Sequence, residues 1–143
     1  MEPKLITDPS KIGPGYWQII HFKARNSDTL KLKQDFIDFM YLLSVEFPCG
    51  NCRNHIQKYL KENPFEPFMN LKNEHGEDIG MFKWSWLFHN AVNIRIHKPY
   101  VDWDTAWEMY NTNKEICTDC GIDSIENKKK KEEIIRGYFL KKH

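Results

Sequence analysis

Pro48-Cys49-Gly50-Asn51-Cys52-Arg53-Asn54-His55-Ile56-Gln57-Lys58-Tyr59-Leu60 is the stretch on which the reading of this chain turns. Pro48 stops the apolar run from Leu32 to Phe47, and a polar–apolar pattern restarts at Cys52. The spacing predicts a helix whose first turn carries both cysteines. Free backbone N–H groups and the positive end of the helix dipole favour a thiolate at such a turn, which is the setting of a redox-active pair. Two cysteines separated by two residues there can also close a disulfide without large backbone movement. The pair therefore reads as chemistry before packing.

Outward from that turn the pattern is helical on both sides. After an irregular arm over residues 1–12, with Pro3 and Pro9, Pro14 at a first-turn position opens a helix to about Ala24. Asn26-Ser27-Asp28 then caps a second helix, about Thr29 to Phe47, with Leu32, Phe36, Phe39, Met40 and Leu43 at helical spacing. The third helix starts at the cysteine pair and ends near Asn63-Pro64, because proline restricts the residue before it. Residues 64–79 read as a loop. A fourth helix spans about Met81 to Ile96 and stops before Pro99, and a short fifth spans about Asp104 to Lys114. Cys117-Thr118-Asp119-Cys120-Gly121 and a charged tail follow, with one more helical piece near Glu132 to Ile135. No segment alternates at period two. The expected fold class is all-α, a small helical bundle in one domain.

The chain has 143 residues, a formal net charge of +1 and 14% aromatic residues, five of them Trp. That composition excludes a disordered chain and asks for a ring-rich core or a flat aromatic ligand. A near-neutral balance gives no reason to expect nucleic acid or a membrane surface as partner. The apolar stretches fall far short of the roughly 20 residues that cross a bilayer, and no secretory signal pattern opens the chain. Four cysteines in two C-x-x-C pairs then favour redox or metal work over a secreted disulfide framework.

Rings, His and Asn recur on shared helix faces. Trp17 and His21 are four apart; Phe82, Trp86, His89 and Asn93 fall at intervals of four, three and four, with Asn90 adjoining; Trp103, Trp107 and Tyr110 repeat the spacing. Any one such stripe reads as core. Several of them near a helix-start dithiol match what an isoalloxazine and an adenine require: rings that stack and amides that donate and accept.

At these residues the chain resembles a known family. Gly13-x-x-x-Trp17-x-x-x-His21, Cys49-x-x-Cys52-x-x-His55 and Trp84-x-x-x-x-His89-Asn90-x-Val92-Asn93-x-x-x-x-Lys98-Pro99 look like the Erv/ALR family of FAD-linked sulfhydryl oxidases, over residues 12 to about 112. The resemblance implies a four-helix bundle cradling FAD with a short fifth helix, usually a homodimer. It implies an oxidase domain over 13–115, followed by a C-terminal segment over 116–143. It further implies an enzyme that forms disulfides in thiol-containing proteins, or in a thioredoxin-like relay, and passes electrons through FAD to O2, giving H2O2. By position, Cys52 is the flavin-proximal sulfur and Cys49 the distal one. Gly13, Trp17, His21, His55, Trp84, His89, Asn90, Asn93 and Lys98 line the FAD, with Trp107 or Tyr110 from the fifth helix. Attack by a substrate thiolate at Cys49 would release Cys52, a leaving sulfur expected to have a lowered pKa.

One departure is clear. Cellular members carry a further structural disulfide after the Lys-Pro, and Tyr100 to Met109 contains no cysteine. The compact form is similar to the short members encoded by large DNA viruses, which would place the protein in host cytoplasm and in the virion. Cys117 and Cys120 match the extra pair that shuttles electrons in some relatives, and match equally a local structural disulfide or idle thiols. No metal site is expected. A zinc module on the two pairs would have to span residues 53–116, far beyond ribbon spacing, and a flavin-free thioredoxin-like enzyme would need strands that the pattern lacks.

Overall fold

Among the described residues of 8–110, five α-helices and one 3-10 turn follow one another: α1 (Pro9–Arg25), α2 (Leu30–Glu46), α3 (Gly50–Glu62), the turn Glu66–Phe68, α4 (Gly80–Arg95) and α5 (Trp103–Met109). The structure is a computed structural model and describes residues 8–110 together with 133, 134 and 136. Among the described residues there is no strand, only an isolated bridge between Lys72 and Asp78. The all-α expectation holds. Met1–Asn111 forms one compact unit and Thr112–His143 another, in which Glu133, Ile134 and Arg136 are helical. The fifth helix ends at Met109, short of the expected Lys114, because the backbone leaves the helical region at its C-cap Tyr110, φ −111 and ψ 24; Cys117 and Cys120 lie outside the described residues.

Local chemistry explains the boundaries. The Asp8 carboxylate accepts the Ser10 N–H at 3.0 Å and caps α1, so residues 9–12 are helical rather than an irregular arm. Pro14 lies inside α1 instead of opening it. A proline in the second turn removes one hydrogen bond and leaves φ helical, which a capped helix can absorb. Thr29 caps α2 through Leu32 N–H, and Pro48 follows its end. Asp102 caps α5 through Thr105 N–H. His97, in the left-handed region at φ 60, turns the chain out of α4.

In the bundle α1 packs on α4 and α2, and α2 packs on α3. Phe36, Met40 and Leu43 of α2 are buried as the spacing predicts, whereas Leu32 is 41% exposed and Lys33 is buried in its place. Lys33 Nζ donates to Asp78 Oδ1 at 2.7 Å and to Met69 O at 2.8 Å, which fastens the 64–79 segment onto α2. Phe36, Tyr59, Phe65 and Phe88 surround Trp84, whose Nε1 donates to Asn63 O at 3.0 Å. Each fully buried apolar side chain of this kind contributes about 1.5–3 kcal/mol. This core fixes the separation of α3 and α4, the two walls of the site.

Candidate active site

α3 begins on the dithiol. Cys49 occupies the N-cap position in extended backbone, and its Sγ accepts the Cys52 N–H at 3.3 Å, where a Ser or Asp oxygen would ordinarily stand. Arg53 lies across the same turn, its Nη1 donating to Phe47 O at 2.6 Å. Both cysteines are free thiols and half-buried. The Cys49 thiol is held below its ordinary pKa by hydrogen bonds from Cys52, through its side chain and then its N–H, with the Arg53 charge assisting. Burial pushes Cys52 up to about 11, its contact with Cys49 adds to the rise, and the Arg95 charge opposes it. The expectation of a lowered pKa at Cys52 is thus corrected: the N-cap sulfur receives the Cys52 and Asn51 N–H groups, whereas at the inner one desolvation outweighs the single N–H it receives.

One turn along α3 from the dithiol, beginning at His55, a cleft of about 240 Å³ opens between α3 and α4. His55, Lys58, Tyr59 and Glu62 line it from α3, and Phe88, Ala91, Val92 and Arg95 from α4. Tyr59 and Phe88 lie 4.6 Å apart at its apolar floor. The His55 pKa is lowered by desolvation and then by the cations Arg95 and Lys58. Arg95 acts on both Cys52 and His55, so its charge spans the dithiol and the cleft.

A second cluster adjoins through Phe88. The Trp17 ring lies 5.1 Å from Phe88 and stacks on His89 at 3.9 Å with the planes 7° apart. His21 Nε2 and His89 Nδ1 are 2.8 Å apart, and His21 Nδ1 lies 2.9 Å from Ser85 Oγ. Burial, and then the charge of its neighbour, lowers His21 to about 3; burial and the Lys98 cation lower His89 to about 4. Both imidazoles are neutral at pH 7. Tyr110 touches His21 at 5.1 Å.

Other expected site residues sit differently. Trp84 is only 1% exposed and supports Tyr59 and Phe88 from the core side, so it offers no surface to a ligand in this arrangement. Asn90 is buried and spends its amide on backbone: Nδ2 donates to Val101 O at 2.9 Å and Oδ1 accepts Val101 N–H at 3.0 Å. That pair holds the segment entering α5. Trp107 carries the Arg25 guanidinium 3.4 Å above its ring. Asn93 is buried, and its carbonyl accepts the N–H of exposed Lys98 at 2.8 Å. At Gly13 an added Cβ would meet nothing within 4 Å, so that face of α1 is open.

A flavin dinucleotide asks for an apolar floor, a stacking plate, and cations for a pyrophosphate. Tyr59, Phe88 and Val92 could hold its rings, Trp17 with His89 supplies a plate, and Lys58, Arg95 and Lys98 supply positive charge. The donor set fits the group. Lys58, Tyr59, Phe88 and Arg95 were not among the sequence candidates. Their signal was present, since 55, 58, 59 and 62 and again 88, 91, 92 and 95 follow the i, i+3, i+4, i+7 spacing of one helix face. Among the described residues no three His, Cys, Asp or Glu side chains cluster to hold a metal ion.

A model of the Erv1 / Alr family matches residues 14–112. The FAD-linked sulfhydryl oxidase of African swine fever virus (isolate Warthog/Namibia/Wart80/1980) is 32% identical over 101 residues, covering 68% of this chain and 78% of that protein. The mitochondrial FAD-linked sulfhydryl oxidase ERV1 of Saccharomyces cerevisiae is 27% identical over 107 residues, covering 71% of this chain and 52% of that protein. The crystal structure of the yeast Erv1 core matches with a TM-score of 0.62 at 21% identity, over 80% of this chain and 91% of that one, which is a likeness of fold.

Proposed function

Because the chain belongs to the Erv1 / Alr family, we propose that it is an FAD-linked sulfhydryl oxidase that forms disulfides in thiol-containing proteins or in a thioredoxin-like relay. One observation carries the reading: a helix-capping dithiol whose inner sulfur shares the Arg95 charge with a cleft suited to a flavin nucleotide. When bound, FAD supplies a two-electron acceptor that is reoxidised by O2 with formation of H2O2. Cys52 is the sulfur beside it, and Trp17, His21, His55, His89, Asn93, Lys98 and Tyr110 belong to its surroundings. Trp84, Asn90 and Trp107 act one layer behind.

The oxidised enzyme holds a Cys49–Cys52 disulfide. A substrate thiolate attacks Cys49 Sγ, the S–S bond breaks, and Cys52 leaves carrying the electron pair. A second substrate thiol, after losing its proton, attacks the mixed disulfide. The substrate disulfide departs and Cys49 becomes a thiolate, which is the sulfur that the cap stabilises. Two electrons have then moved onto the enzyme dithiol and two protons have been released. The Arg95 charge offsets part of the cost of a negative Cys52.

Ile19, Phe22, Leu42 and Val45 on α1 and α2 are half exposed or more, an apolar surface that a second copy would cover in a homodimer. The oxidase domain is residues 13–115 with the start of α1 attached, and Cys117 and Cys120 in the 116–143 segment serve as the relay pair or as a local disulfide. The viral relatives support a setting in host cytoplasm and virion. No helix among the described residues is long and apolar enough to cross a membrane.

Cys52→Ser is expected to leave a yellow, folded protein whose oxygen consumption with dithiothreitol falls by at least about 10³-fold, the scale on which loss of a covalent nucleophile is felt. Normal turnover in that variant would refute the assignment.

A further inference from the structure

The chain of hydrogen bonds from Phe82 through Ser85 and His21 to His89 has a fixed direction. Ser85 Oγ lies 2.7 Å from Phe82 O, and a carbonyl oxygen only accepts, so the single hydroxyl proton of Ser85 is committed there. His21 Nδ1, 2.9 Å from the same Oγ, must then be the donor. His21 is neutral, with its pKa near 3, so its Nε2 carries no proton. The 2.8 Å contact between that Nε2 and His89 Nδ1 requires the proton on His89 Nδ1. His89 is neutral as well, so its Nε2 is bare, and no described residue bonds it. Ser85 and His21 are 0% and 4% exposed, which keeps water from scrambling the order. The Trp17 ring stacks on the His89 ring at 3.9 Å with the planes 7° apart, which opposes its turning over.

We infer that Ser85, acting through His21, locks His89 as a hydrogen-bond acceptor for an N–H donor of the bound nucleotide. The inference rests on the FAD reading of the site and deepens it. Two donors of FAD share this chemistry, the imide N–H of the isoalloxazine and the amino group of the adenine. His89 is then a ligand-binding residue, and Ser85 and His21 are positioning residues. Free histidine side chains favour the opposite tautomer, so the assignment is not what a surface imidazole would give.

The test uses the FAD-loaded protein with 15N-labelled histidine, examined by long-range 1H–15N correlation at pH 7. The expected result is a protonated Nδ1 and a bare Nε2 on both His21 and His89. A protonated Nε2 on His89 overturns the proposal whatever any variant does. Loading with 15N-labelled FAD adds a coupling across the hydrogen bond from His89 Nε2. Coupling to the imide nitrogen identifies the isoalloxazine as donor, and coupling to the amino nitrogen identifies the adenine. With neither coupling the acceptor role is lost.

Ser85→Ala removes the acceptor for His21 Nδ1, so the pair should swap tautomers and FAD should bind about tenfold more weakly, the loss of roughly one buried hydrogen bond. Ser85→Thr keeps the hydroxyl and should keep both the tautomer and the affinity. Weaker FAD binding in Ser85→Ala with an unchanged His89 tautomer would show a merely structural role and defeat the proposal. A yellow protein inactive toward dithiols would sink the oxidase reading while leaving these spectra intact.

Discussion

Single residues set limits that composition does not reveal. Gly80 opens α4 against the 3-10 turn, and a Cβ there would stand 1.7 Å from Phe68 O and 2.8 Å from the carbonyl carbon. Backbone cannot move aside as a side-chain tip can, so Gly80→Ala is expected to cost about 3 kcal/mol or more. Urea denaturation followed by tryptophan fluorescence measures it, and an unchanged midpoint would mean that the contact relaxes freely. Nothing near Gly80 in the sequence announces this demand, whereas Gly13, singled out by the family motif, faces open space. The same holds for the cysteines. Their place at a helix start was legible from Pro48 and the restart of periodicity, but which sulfur carries the charge was not. That depends on Cys49 capping the helix and on Cys52 being desolvated.

At the scale of elements, periodicity located the helices and missed their registers by small amounts. In α2 it favoured Leu32 as an inward position, yet the buried residue is Lys33, because Asp78 and Met69 O across the bundle satisfy its ammonium. The two side chains are only 9% and 14% exposed, so removing one partner leaves the other charge buried. Asp78→Ala should therefore destabilise by about 3–5 kcal/mol, while Lys33→Met with Asp78→Leu should recover most of that loss. Thermal denaturation of the three proteins checks it; an Asp78→Ala protein as stable as the parent would remove the pin from the account. α1 shows the complementary lesson: Pro14 looked like a start signal, and Asp8 supplied the real one. The facing stripes of α3 and α4 were readable spacing that acquires meaning only when the helices are side by side.

The whole molecule responds to pH through its buried imidazoles. His21 titrates near 3 in the fold against about 6.5 in the unfolded chain. Below pH 6.5 the unfolded state therefore binds the proton that the native state refuses. Stability is fully present above that value and declines as pH falls toward 3. At pH 5 His21 alone should cost about 2 kcal/mol, and His89 acts in the same direction. Urea midpoints at pH 7 and pH 5 should differ accordingly, and His21→Gln should flatten the difference; equal midpoints in the parent would contradict the burial. The sequence by itself determined the helical class, the approximate extents of the helices and the dithiol at a helix start, because periodicity, caps and prolines act within a turn or two of chain. Only the tertiary structure decided that Trp84 and Asn90 are buried while Tyr59, Phe88 and Arg95 line a cleft, and that Ser85, His21 and His89 stand within hydrogen-bond distance of one another. Burial, desolvation and hydrogen-bond direction arise from contacts such as His21 with Ser85 and Lys33 with Asp78, between residues far apart along the chain.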